Sequence, residues 1–291
     1  GIAEIPLTLV MSSRTGPASG MPTWTGQGDL KFMINASQDE FPRFVFTPGD
    51  AKECFEMTKK SLELAEKWQT PSIILIDKVA SESHFVTPAF DEIQKNERLS
   101  FAADTGEGYL RYKITENGIS ARPKLGQKGG HCLLGNSYEH DETSIYTEDA
   151  DQRVAQVDKR FKKVEGMLAD LPQLPVYGND GDHEAEFAIV AFGTTMLPVR
   201  QALKSLDNVK YLHFNYVWPF PIEQVKKELE GTRRVYVIEG NGQGQLESLL
   251  AEQTGIRASG SLHKYDGRPF YPEEIIEFMN KAIANESEAL R

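Results

Sequence analysis

Along the chain, apolar and polar positions switch between strand-like runs and helical spacing, and the switches mark out the elements. The first run, EIPLTLVMSS (Glu4 to Ser13), is rich in apolar and β-forming residues and predicts a strand. RFVFTPG (Arg43 to Gly49) is a short apolar run closed by Pro-Gly, and Asp50 then opens a helix with Glu53 in capping-box spacing. Ala51, Cys54, Phe55, Thr58, Leu62 and Ala65 recur at helical period and define its expected buried face, with Cys54 as a small buried hydrophobe. PSIILID (Pro71 to Asp77) is a continuous apolar strand of the kind buried on both faces of a parallel sheet. Strand, helix and strand with short connections make a βαβ unit.

From residue 86 to about 150 the pattern breaks up, with one strand predicted at Tyr109 to Ile114 before the turn signal ENG. So long an irregular stretch reads as a functional loop or as an arm packing on a partner. His131, Glu139, His140 and Asp141 fall here, but their spacing matches no ligand signature, and no metal is expected on this chain. GQKGGH (Gly126 to His131) reads as a flexible turn rather than a phosphate cradle. Val154, Val157, Phe161, Val164 and Leu168 restore helical spacing, and LPQLPVYGNDGDHEAE (Leu171 to Glu186) reads as a linker.

A second alternation follows, with strands at Phe187 to Gly193, Val209 to Asn215 and Arg234 to Gly240, and helices from Thr195, Pro221, Gln243 and Pro272. EGNGQGQ (Glu239 to Gln245) lies at a strand-to-helix turn. Its glycines at 240, 242 and 244 do not form GxGxxG and no lysine follows, so tight packing of turn on strand is expected rather than anion binding. The division expected is 1–85, an arm with its helix over 86–180, and 181–291.

Composition narrows the function classes. The chain has 291 residues and 32 Lys+Arg against 43 Asp+Glu, a net charge of −11 with no basic cluster, which argues against a nucleic-acid partner. Its 2 cysteines, Cys54 and Cys132, lie far apart with no CxxC, so neither a disulfide framework nor an iron–sulfur cluster held by this chain alone is expected. There is no run of 18 apolar residues and no basic-then-apolar leader, so the expectation is a cytoplasmic protein without a membrane contact.

The chemistry gathers in SSRTGPASGMPTWTGQGDL (Ser12 to Leu30), where Arg14 heads a run holding Gly16, Pro17, Gly20 and Pro22. Such a run is neither helix nor central strand. Arg14 therefore sits where a buried strand opens into a loop, a common place for ligand sites in α/β proteins. A turn with a merely solvated arginine is the alternative reading of the same residues.

In order along the chain, RTGPASGMPT with QGDL, IILIDK followed by SES, ITENGISARP, EHDE with TED, and IEGNGQGQL with KYDGRPFYPEEI resemble the alpha subunit of the 2-oxoacid:ferredoxin oxidoreductases, nearest to the 2-oxoglutarate type. Ala18-Ser19 and Met21 depart from the family's usual Ser-Thr and Leu. The resemblance implies an α/β fold: a doubly wound sheet of thiamine-diphosphate-binding type, here the C-terminal half of the pyrimidine-side domain in 1–85, and a transketolase-C-like domain in 181–291. It implies oxidative decarboxylation of a 2-oxoacid to acyl-CoA, CO2 and reduced ferredoxin. Thiamine diphosphate is shared with a beta subunit, which carries Mg²⁺ and a 4Fe-4S cluster, and coenzyme A is a substrate.

By motif position, Arg14 and Thr23 resemble the substrate-carboxylate residues, and Gly16 and Gly20 let the loop backbone pass close to the ligand. No residue is assigned to catalysis or to the coenzyme. The family's gamma-like domain, its YPITPS-like segment and its activating glutamate do not precede Gly1, so either a separate N-terminal segment or gamma-like domain is expected as a partner beside the beta subunit and ferredoxin, or the chain is a fragment that does not activate thiamine by itself. Without such a partner, sheet edges would stand unpaired. Two alternatives share the fold: action on pyruvate or a branched-chain 2-oxoacid, and a non-catalytic scaffold subunit.

Overall fold

A computed structural model describes residues 1–90, 101–124, 126–127, 137–178 and 185–289, with side chains to 284. Strand β1 (Leu7–Ser13) leads through the loop of residues 14–29 to α1 (Leu30–Ile34), β2 (Phe44–Phe46), α2 (Ala51–Trp68), β3 (Pro71–Asp77) and α3 (Lys78–Glu82). Beyond the arm come α4 (Ala150–Phe161) and α5 (Lys163–Ala169). Then follow β4 (Val176–Gly178), β5 (Phe187–Phe192), a single 3-10 turn at Gly193–Thr195, α6 (Met196–Leu203), β6 (Val209–Phe214) and β7 (Tyr216–Trp218). The last elements are α7 (Ile222–Leu229), β8 (Arg234–Glu239), α8 (Gln245–Thr254), β9 (Gly260–His263) and α9 (Pro272–Ala289).

The strands form two sheets, ordered β1-β3-β2-β7 and β4-β6-β5-β8-β9. In the first, β1, β3 and β2 run parallel and β7 runs antiparallel to β2. In the second, β6, β5, β8 and β9 run parallel and β4 runs antiparallel to β6 at the edge. Only Asn215 separates β6 from β7, so the chain crosses from one sheet to the other there. Thr47 fixes the crossing: its N–H donates to Asn215 O at 2.8 Å and its hydroxyl to Phe214 O at 2.8 Å. One apolar core runs through both sheets, from Phe44, Phe46 and Leu75 to Val190, Phe214 and Leu250.

The expected strand at β3 and the helix starts at Asp50, Pro221 and Pro272 are present, and α8 ends at Gly255, in the left-handed region at φ +78. Asp50 accepts from Glu53 N–H at 2.8 Å, but the Glu53 carboxylate reaches Gly49 N–H and His213 instead of closing the box on Asp50. The buried face of α2 is Glu53, Met57, Ser61, Leu64, Ala65 and Trp68, rotated from the expected one. The rotation follows from polar pairing: Ser61 meets Ser72 at 2.6 Å and Thr8 at 3.2 Å across the sheet. Leu62 is left exposed and Cys54 half-buried. Burial, with Asp50 and Glu53 nearby, pushes the Cys54 thiol up to about 11, as suits an unreactive residue.

The strand expected at Tyr109 to Ile114 is absent; those residues form turns and extended loop. Their backbone is satisfied elsewhere, with Tyr112 N–H donating to Glu142 O and Ile114 N–H to the Glu142 carboxylate. Part of the expected linker is structure: Leu171 and Leu174 are buried and Val176–Gly178 adds an edge strand. The short strands β7 and β9 carry no sequence alternation long enough to announce them. Cys132, His131 and most of GQKGGH lie outside the described residues.

The first strand also starts later than expected, because Glu4 is occupied otherwise. Its backbone lies at φ +49, and its buried carboxylate takes Lys159 Nζ and Lys163 Nζ at 2.5 Å each. Burial would push that carboxyl up, but the two ammonium groups outweigh it and hold it at about 2. The helical face expected from Val154 and Phe161 is therefore inverted. The inward positions of α4 and α5 are Gln156, Lys159, Arg160, Lys163 and Met167, while Val154 and Phe161 face outward. At the same end, Arg111 donates to Ala3 O and Glu4 O, and His140 meets Ile2 O at 3.0 Å.

Candidate functional site

Arg14 follows the last residue of β1, at the carboxyl end of a parallel strand. The loop beyond it folds back on itself. Thr15 O accepts from Met21 N–H at 2.9 Å and the Thr15 hydroxyl donates to Thr25 O at 2.8 Å. Gly20 makes this closure possible: its φ is +46, and a Cβ there would stand 1.9 Å from Thr15 O. The loop's exit is then pinned to the second sheet by Gln27. Its side-chain nitrogen donates to Phe192 O at 3.0 Å, and its side-chain oxygen accepts from Gly240 N–H at 2.7 Å and from the Thr195 hydroxyl at 3.2 Å. Gln27 N–H donates to Gly240 O at 2.8 Å, and Asn241 donates to Gln27 O. The turn at 239–245 thus packs against this loop, a contact that its glycine spacing, read as packing of turn on strand, did not foretell.

Arg14, Gly16, Gly20 and Thr23 all lie on the exposed side of the loop. Neither Arg14 nor Thr23 has a hydrogen bond or ion pair among the described residues. The backbone under the guanidinium is fixed and the guanidinium itself is free. None of the four is among the residues that line the cavity behind the loop.

The cavity, of about 310 Å³, opens behind the loop. It collects the carboxyl ends of four parallel strands: Asp77 at the end of β3, Thr194 and Thr195 after β5, Gly240 after β8 and Lys264 after β9, closed by Thr25, Gln27, Arg268 and Phe270. Asp77 is buried, and that burial pushes its carboxyl up against the hydroxyl of Thr194 and the N–H of Ala80, both of which donate to it. At the rim, Lys264 Nζ is held by Glu274 at 2.6 and 2.8 Å and Arg268 stacks on Trp24. Sequence reasoning missed this cavity, although Gln27 stands inside the quoted QGDL.

Of the candidate metal residues of the arm, Glu139, His140 and Asp141 are engaged otherwise, and His131 lies outside the described residues. Glu139 takes Arg153 and Arg160, which outweigh burial and hold its carboxyl at about 2. His140 stacks on Tyr112, and Asp141 caps its own turn at Thr143 and Ile145. A buried pair joins α2 to the second sheet, with His213 Nε2 at 2.9 Å from Glu53 and Nδ1 at 2.7 Å from the Tyr211 hydroxyl. For Glu53, burial raises the carboxyl but His213 and the Gly49 N–H outweigh it and leave it below its ordinary value.

Against a thiamine diphosphate, the loop fits one role and not another. It offers a guanidinium and hydroxyls, but its one acid, Asp29, already accepts from Ser13 at 2.5 Å, so it has no free carboxylate to grip a Mg²⁺–diphosphate.

Residues 1–159 match the family described as pyruvate flavodoxin/ferredoxin oxidoreductase, thiamine diP-binding, and residues 185–275 match pyruvate:ferredoxin oxidoreductase core domain II. The chain belongs to this family of oxidoreductases, and its two packed α/β sheets are the thiamine-diphosphate-binding type of fold. Its relatives are alpha subunits. The 2-oxoacid:ferredoxin oxidoreductase 2 subunit alpha of Aeropyrum pernix is 34% identical over 94% of this chain and 43% of that protein. The 2-oxoglutarate synthase subunit KorA of Methanothermobacter thermautotrophicus is 23% identical over 96% of this chain and 74% of that protein. Among solved structures, the 2-oxoglutarate:ferredoxin oxidoreductase of Magnetococcus marinus, with 2-oxoglutarate, coenzyme A and succinyl-CoA bound, superposes with a TM-score of 0.82. It is 30% identical, over 96% of this chain and 49% of its own. The chain thus spans about half the length of that protein. No helix among the described residues is long and apolar enough to cross a membrane.

Proposed function

We propose that this chain is the substrate-gripping part of an alpha-type subunit that oxidatively decarboxylates a 2-oxoacid, with 2-oxoglutarate as the substrate, to acyl-CoA, CO2 and reduced ferredoxin. The observation that carries the reading is Arg14, exposed and without a hydrogen bond or ion pair among the described residues, on a backbone that Gly20 and Gln27 hold in place. A guanidinium presented this way takes a carboxylate through two parallel charge-assisted hydrogen bonds, and Thr23 adds a neutral donor. Gly16 and Gly20 leave the loop without side chains to obstruct that approach. The substrate choice is supported by relatives and a solved structure named for 2-oxoglutarate.

Thiamine diphosphate, when bound, would supply the nucleophilic carbon and the electron sink that decarboxylation of a 2-oxoacid needs. This chain's part is to hold the substrate's carboxylate while the partner side of the pocket holds the coenzyme. In the proposal a beta subunit carries Mg²⁺ and the 4Fe-4S cluster, and the complex reduces ferredoxin in the cytoplasm. Two open surfaces support an obligate complex. Among the described residues strand β1 is an edge strand with Leu7 and Val10 53% and 58% exposed, and Tyr138, Ile145 and Tyr146 of the arm and Val154 and Phe161 of α4 are exposed as well. The domain division at 1–85, 86–180 and 181–291 is part of the same proposal.

The test is a ferredoxin-linked assay of the chain co-expressed with its partner subunits. Reduction dependent on coenzyme A and on 2-oxoglutarate supports the proposal; turnover with pyruvate or branched-chain 2-oxoacids alone overturns the substrate, and no turnover in a complex loaded with coenzyme and iron overturns the enzyme.

A further inference from the structure

The turn at EGNGQGQ gathers a set of donor atoms that the loop packing does not use. Glu239 ends β8, Glu247 lies in the first turn of α8, and His263 ends β9 directly opposite Glu239 in the parallel register. One nitrogen and two carboxylate oxygens, one from each residue, lie within 4.8 Å of one another. His263 Nε2 is 3.4 Å from Glu247 Oε2 and 4.0 Å from Glu239 Oε1. That nitrogen is shielded from solvent and makes no hydrogen bond, so the imidazole aims an unsatisfied atom between two carboxylates.

The spacing suits a cation. Bonds of about 2.0–2.2 Å in a tetrahedral site hold neighbouring donor atoms roughly 3.3–3.6 Å apart, so one observed separation already fits and the other needs a small inward movement. The space is kept open by Gly244, in the left-handed region at φ +64, where a Cβ would stand 2.9 Å from Glu247 Oε2 and 3.3 Å from His263 Nε2. Both carboxylates are oriented from behind, as ligating carboxylates are. Glu239, fully buried, accepts from Leu246 N–H, Glu247 N–H and Asn241, and Glu247 Oε2 accepts from the Ser261 hydroxyl at 2.6 Å. His263 is 27% exposed at its side chain, which leaves a way in.

We propose that Glu239, Glu247 and His263 bind one divalent transition cation, of the zinc class, with water completing the coordination. An imidazole beside two carboxylates selects Zn²⁺, Co²⁺ or Mn²⁺ over Mg²⁺ or Ca²⁺, which take oxygen alone. The ion joins the ends of β8 and β9 to the start of α8. It thereby stiffens the turn whose Gly240 holds Gln27, and acts behind the substrate loop rather than on it. This inference does not depend on the activity proposed above.

The experiment measures metal in the full chain, in whatever complex it purifies with, after loading with Zn²⁺ and a chelator wash, for the native chain and for His263→Ala and Glu247→Gln. The native chain is expected to hold one more zinc per chain than either variant. Co²⁺ in its place is expected to give visible absorption bands that both variants lose, and Ser261→Ala to bind about 10-fold more weakly. Zinc content equal in the native chain and the variants, with no cobalt bands, overturns the site and leaves His263 as a plain ion-pair partner of the two glutamates. Should His263→Ala not fold, Glu247→Gln keeps the side-chain shape and decides alone.

Discussion

Glu4 and Arg14 stand just beyond opposite ends of β1, and the chain treats their charges in opposite ways. Glu4 is buried and meets two buried lysines at 2.5 Å. Arg14 is exposed and meets nothing among the described residues. A buried charge is tolerated only when paired, because its desolvation must be offset within the fold. An exposed charge on a fixed backbone costs the fold nothing and remains available to a ligand. The difference separates a charge that builds the molecule from one the fold leaves available, even though both are single ionic residues at the edge of one strand.

The comparison breaks most sharply at Glu4. Replacing it by alanine strands Lys159 and Lys163, and unfolding measurements should show a loss of about 3–5 kcal/mol. An unchanged denaturation midpoint would mean the buried pair does not anchor the chain. Acid probes the same group more gently. The Glu4 carboxyl sits at about 2 when folded against 4.5 as its ordinary value. Its contribution is complete above pH 4.5 and is lost as the pH falls through about 2, roughly 3 kcal/mol in all by linkage. The gap in stability between the native chain and Glu4→Gln should therefore narrow on acidification through that window, and a constant gap contradicts the assignment.

The platform under Arg14 gives the next effect. Gln27→Ala removes three side-chain hydrogen bonds between loop and second sheet, for a loss of about 1–3 kcal/mol and faster proteolysis within residues 14–29. Gly20→Ala should act more locally, loosening the loop with a smaller change in global stability, because only the loop's own closure is strained. A fully active, protease-resistant Gly20→Ala would show that the closure is dispensable.

Much of this was legible in the sequence, and the rest was hidden for identifiable reasons. The continuous apolar run at Pro71–Asp77 and the Asp50 cap are local signals, and both elements stand where the pattern placed them. The inward faces of α2 and α4 were misread because they bury serine, glutamate and lysine, which period counting assigns to solvent. Those burials depend on partners 11 to 159 residues away, Ser72 for Ser61 and Glu4 for Lys163, which no local window contains. That Arg14 and the glycines lie in a loop could be read from residue type alone, whereas their role toward a ligand came from the family resemblance. Gln27 could not, since its importance lies in Phe192, Thr195 and Gly240, far along the chain.

The central claim is that Arg14 is held ready for the substrate's carboxylate. The most direct test is the KM for the 2-oxoacid of Arg14→Ala in the assembled enzyme, measured beside its thermal midpoint. Loss of a charge-assisted bidentate contact costs about 2–5 kcal/mol, so the KM should rise by about 30-fold or more while the midpoint stays with the native chain. An unchanged KM would leave Arg14 as a solvated turn residue and contradict the account.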